Sequence, residues 1–92
     1  MSDFLQNKQA DLQFPLLWHG RLIVDAENFV SRELIELTFA GLGLSLSSLE
    51  AGSVSSTGRY RSWQICAQIP SLAIFRAISQ ALCALPGVKI LL

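Results

Sequence analysis

Between Arg59 and Ile69 polar and apolar residues alternate. Trp63, Ile65, Ala67 and Ile69 fall on one side, and Ser62, Gln64, Cys66 and Gln68 on the other. A period of two marks a strand in a sheet with one buried and one open face. This feature rules out an all-helical bundle and requires apolar elements to cover one side of a sheet. Leu16 to Val24 repeats the pattern, with Leu16, Trp18, Gly20, Leu22 and Val24 on one side and His19, Arg21 and Ile23 on the other.

Two segments have helical spacing. Leu72 to Ala84 sets Ile74, Ala77, Ile78, Ala81, Leu82 and Leu85 on one stripe, begins behind Ser71 as N-cap and stops at Pro86-Gly87. The other helix is expected over Ala26 to Ala40, with Asp25 as N-cap and Glu27 in the first turn. Its stripe would be Val30, Leu34, Leu37 and Gly41, and Gly41 and Gly43 would end it. Leu44 to Ser56 has the spacing of a poor strand, with Gly52 as a bulge. Ser55-Ser56-Thr57-Gly58 is a hairpin turn, and Val88 to Leu92 a short last strand.

The expected order is therefore β-α-β-β-α-β. Two helices with one apolar stripe each must cover one face of a four-stranded antiparallel sheet. This is the α+β ferredoxin-like two-layer sandwich, and right-handed crossovers place strands one and three at its centre. Residues 1–13 read as a flexible polar N-terminal tail and residues 14–92 as a single domain.

Composition narrows the function classes. Hydrophobic residues make up 51% of the 92 and charged residues 15%, so the chain is not of the disordered class. Seven basic and seven acidic residues leave a net charge of zero, against the excess of Lys and Arg that nucleic acids or acidic membranes demand. The apolar helical segment Leu72 to Leu85 is interrupted by Arg76, Ser79 and Gln80 and falls short of the ~20 residues of a membrane span. The polar start lacks a secretory pattern, and Cys66 and Cys83 form neither a CxxC pair nor a disulfide framework. The expectation is a cytoplasmic protein with reduced thiols, no cofactor and no metal.

Three stretches carry a family resemblance: Phe14-Pro15 with Trp18 to Val24, the hairpin Ser55 to Ser62, and Leu85-Pro86-Gly87-Val88-Lys89-Ile90-Leu91-Leu92. Together they resemble the YbeD-like family of small bacterial proteins of undetermined function, over roughly residues 14–92. Thr57 stands where many relatives have Lys, and Val24 where relatives often have Gly. The resemblance implies a ferredoxin-like fold, similar to the ACT regulatory domains that bind amino acids and control metabolic enzymes. It implies no catalytic residue.

Catalytic constellations are thin. His19 is the only histidine, and it shares the polar side of the central strands with Cys66. By this parity no acid accompanies them, so a nucleophile–base–orienter set is missing and the chain reads as a non-enzyme. Gly41 and Gly43 lack the rest of a nucleotide fingerprint. The same topology serves RNA-recognition modules, which stack bases on open-face aromatics. Here Trp18 and Trp63 fall on the core side, and Tyr60 alone could stack. RNA binding is thus the alternative to a regulatory or adaptor module.

Charge is unevenly distributed. Residues 51–92 hold no acid, and Arg21, Arg59, Arg61 and Lys89 are expected to make one end of the sheet mildly basic. Ile23 and Leu91 would lie on the uncovered face among uncharged Gln64, Cys66 and Gln68. A face so poor in charge suits a weak homodimer, a protein partner or a small anionic metabolite. The candidate binding residues are His19, Arg21, Ile23, Tyr60, Gln64 and Lys89.

Overall fold

The computed structural model describes residues 13–92. Of the expected N-terminal tail, residues 1–12 lie outside the described residues. Six elements follow: β1 (Leu16–Asp25), α1 (Arg32–Gly41), β2 (Leu46–Ala51), β3 (Tyr60–Ile69), α2 (Leu72–Cys83) and β4 (Val88–Leu91). The strands form one antiparallel sheet in the order β2-β3-β1-β4, with the two alternating strands central as expected. The fold is the ferredoxin-like α+β sandwich.

The parity of the two central strands is as their alternation requires. Leu22 and Val24 of β1, and Trp63, Ile65, Ala67 and Ile69 of β3, are buried together with Ile35 and Phe39 of α1 and Ile78 and Leu82 of α2. Gly20 belongs to this side for a steric reason. A Cβ there would fall inside the ring of Trp18, which lies along the strand and meets Phe75 of α2 edge-on at 5.8 Å.

The first helix departs from expectation. It starts six residues later, capped by Ser31, whose hydroxyl accepts the Leu34 N–H at 3.1 Å. Asp25 ends β1 instead; its carboxylate accepts the Glu27 N–H at 3.0 Å in a local turn, and the Ala26 N–H donates to the Arg59 carbonyl. The buried stripe is correspondingly Ile35 and Phe39, four residues apart, while Leu34 and Leu37 are exposed and Gly41 is on the surface. Val30 is buried, but from the loop before the helix, so it does not set the helix phase. The second helix begins behind Ser71 as expected, with the hydroxyl accepting the Ile74 N–H at 3.2 Å.

Two bulges alter the edge strands. In β2 the register slips between Leu46 and Ser48, so Leu46 pairs with Ala67 and Leu49 with Ile65, both towards the helices. The bulge thus lies at Ser47 and not at Gly52. In β4 the register slips opposite Ile23 and Val24: Val88 pairs with Val24, Ile90 with Ile23 and Leu91 with Leu22. Lys89 is the extra residue. Leu91 therefore packs against the core, contrary to the expectation that it faces outward, and Ile90 takes the open-face position beside Ile23.

A stack of four side chains joins the loop before α1 to the sheet. Phe29 lies on Trp63 with ring centroids 5.0 Å apart and an 8° interplanar angle. Arg61 lies over Phe29 at 4.5 Å, and Arg32 lies over Trp63 at 5.3 Å. The Trp63 indole N–H donates to the Val30 carbonyl at 2.9 Å, so the tryptophan is buried with its polar atom satisfied.

Candidate functional site

Because both helices lie on one side, the other face of the sheet is open, and the strand register determines which side chains meet there. Arg21 of β1 is opposite Gln64 of β3, and Gln64 is opposite Glu50 of β2. Leu92 exchanges both backbone hydrogen bonds with Arg21, at 3.0 and 2.8 Å. One row therefore crosses the whole sheet: Leu92, Arg21, Gln64, Glu50. The adjacent row reads His19, Cys66, Ser48.

These two rows line a shallow groove of about 400 Å³. At strand spacings of about 4.8 Å, the Cα atoms of Arg21 and Glu50 lie about 10 Å apart, a cation on one wall and an anion on the other. Between them the floor is amide, thiol and hydroxyl. No side-chain hydrogen bond among the described residues involves His19, Arg21, Ser48, Glu50, Gln64 or Cys66. Their polar groups point at solvent with unused capacity.

Glu50 corrects the sequence reading, which placed no acid on this face. Unbroken alternation from Leu44 and Leu46 sends Glu50 inward; the bulge at Ser47 reverses it, and Ser48 and Glu50 come outward. The signal was present in the three-residue gap between Leu46 and Leu49, which no regular strand can bury on one side.

The six candidate residues are only partly brought together. His19, Arg21 and Gln64 share the groove. Ile23 and Tyr60 line an adjoining recess, which also contains Arg21, Gln64 and Val54. Lys89 is elsewhere, in a recess at the hairpin end with Asp25, Glu27, Arg59 and Tyr60. Nor do the four basic residues form one patch. Arg61 lies on the helix side over Phe29, Arg21 shares its groove with Glu50, and Arg59 and Lys89 are interleaved with Asp25 and Glu27.

Trp18 and Trp63 point to the core, and Tyr60, 38% exposed, is the aromatic residue at the margin of the open face. His19 and Cys66 are direct cross-strand neighbours without a hydrogen bond between them. Among the described residues no three His, Cys, Asp or Glu side chains gather as metal ligands, and no helix is long and apolar enough to cross a membrane.

Residues 9–92 match the family described as "Protein of unknown function (DUF493)". The chain belongs to the DUF493 family. The YbeD-like resemblance of the hairpin and the C-terminal segment points to this same family. Among solved structures, the DUF493 chain is similar to the solution structure of protein HP0495 from H. pylori, a structural genomics target. The TM-score is 0.72 at 17% sequence identity, over 88% of this chain and 85% of that one. At that identity the likeness concerns the fold alone. No match was found among curated proteins.

Proposed function

We propose that this DUF493 chain is a non-catalytic regulatory or adaptor module that works by binding through its open sheet face. The observation that carries the reading is the groove: opposed charges at its walls, uncharged polar groups on its floor, and hydrogen-bonding capacity that no side chain among the described residues uses. Such a surface recognises a polar or charged group by position. Catalysis would require more. A nucleophile needs a base in hydrogen-bonding contact and a third group that orients the base. Cys66 and His19 are adjacent without such a bond, and Glu50 lies in the next row and two strands from His19.

The test uses the isotope-labelled chain and two fractions of a bacterial lysate, one of proteins and one of small molecules. Backbone resonances of His19, Arg21, Glu50, Gln64 and Cys66 are expected to shift with one fraction and not the other, which also separates adaptor from metabolite sensor. Perturbation confined to the helix side, or none with either fraction, would overturn the proposal.

A further inference from the structure

We infer that the occupant of the open face is a second copy of this chain, docked face to face about a two-fold axis that runs along β3. This rests on the reading above that the open face is the working surface. The argument comes from the order of charges in the central row.

Two sheets packed face to face in the aligned manner can be related by a two-fold axis lying either along the strands or across them. An axis across the strands sets β1 over β1 and β2 over β2 of the other copy. Arg21, on β1, then never faces Glu50, on β2, wherever the axis is placed. An axis along the strands inverts the strand order, and if it passes through β3 it sets β1 over β2 and β2 over β1. The central row of each copy then faces that of the other in reverse. Arg21 meets the partner's Glu50, Glu50 meets the partner's Arg21, and Gln64 meets the partner's Gln64. Arg21 and Glu50 are equidistant from Gln64 in strand steps, one on each side, so both ion pairs form together. An amide carries both donor and acceptor, so the Gln64 pair at the axis is self-complementary as well.

The neighbouring rows fit the same operation. Cys66 is on β3, so it faces the partner's Cys66 across the axis, and His19 faces the partner's Ser48. Leu92, the outermost member of the central row, flanks each ion pair on the side away from the axis and reduces its contact with water. The overlap is three strands wide, about 14 Å, and this is narrow for a stable complex, which buries roughly 800 Å² per partner. The dimer is therefore weak and concentration-dependent.

Charge exchange tests both the dimer and its axis. Sedimentation equilibrium of the full chain should show reversible dimerisation. Arg21→Glu and Glu50→Arg alone each bring like charges into register twice per dimer, and each should raise the dissociation constant by about tenfold or more. The double exchange, Arg21→Glu with Glu50→Arg, should restore wild-type association. An independent arm leaves the charges untouched: a short bismaleimide should join two copies of Cys83→Ser through Cys66, and should not join copies of Cys66→Ser. A wild-type chain that stays monomeric at millimolar concentration would overturn the inference. So would single exchanges that associate as tightly as wild type, or cross-linking of Cys66 no greater than of Cys83. If the chain is monomeric while the labelled face still responds to a lysate fraction, the face binds something other than a second copy, and only this inference falls.

Discussion

Trp63 contacts the Phe29 ring and the Arg32 guanidinium in the Arg61–Phe29–Trp63–Arg32 stack, and its removal leaves a buried space between the sheet and the approach to α1. Trp63→Ala is expected to destabilise the fold by about 3–5 kcal/mol, read from the shift in urea midpoint at constant slope. Arg61 is the opposite case. Its Nε is buried without a hydrogen-bond partner. Leaving such a group unsatisfied costs about 1–3 kcal/mol, which offsets the ~0.5–2 kcal/mol that a cation–π contact returns. Arg61→Met replaces the guanidinium over Phe29 with an apolar thioether and removes the unpaired nitrogen, so its stability should equal or exceed that of wild type. In the groove, Cys66 should alkylate at the same rate in His19→Ala as in wild type. Rapid alkylation near pH 6 that disappears with His19 would show an activated thiol and reopen the enzymatic reading.

The element scale shows what alternation can and cannot disclose. The faces of β1, β3 and α2 could be read directly, since each has an uninterrupted period and a clean stop at Asp25, Pro70 or Pro86. The start of α1 could not, because Asp25 and Ser31 are both good caps and only the surrounding backbone decides between them. The Arg59 carbonyl takes the Ala26 N–H, which draws that stretch into the β1–β3 margin and out of a helix. Ser31→Ala should therefore cost about 1 kcal/mol, whereas Asp25→Ala should leave helix content unchanged by circular dichroism. Gly20→Ala tests the strand–helix contact. The new methyl overlaps the Trp18 ring and should destabilise by about 1–3 kcal/mol, with the loss partly relieved in Gly20→Ala/Trp18→Leu. The candidate site was only half visible for a related reason. His19, Arg21 and Gln64 follow from the regular strands, but Glu50 and Leu92 reach the groove through edge strands whose registers are broken. A bulge adds one residue and reverses every side chain beyond it.

At the scale of the molecule, zero net charge and the dispersal of Arg21, Arg59, Arg61 and Lys89 over different surfaces leave no continuous basic track among the described residues. A nucleic-acid platform of this topology needs such a track and central-strand aromatics facing outward. A fluorescently labelled single-stranded RNA should show no change in anisotropy with micromolar protein at physiological salt. A salt-sensitive rise abolished by Tyr60→Ala would favour the RNA module. This chain instead presents an amphoteric face, with the side chains of Arg21 and Glu50 in its central row.

The two tryptophans divide the helical layer between them. Trp63 touches the approach to α1 through Phe29, Val30 and Arg32, and Trp18 touches α2 through Phe75. The molecule thus contains one optical reporter for each helix. In Trp18→Phe the remaining emission follows the docking of the first helix, and in Trp63→Phe that of the second. Coincident melting curves in the two variants would show that the sheet releases both helices in one cooperative event. Separated curves would show an order of detachment, and the indole that changes first would identify the helix held less firmly.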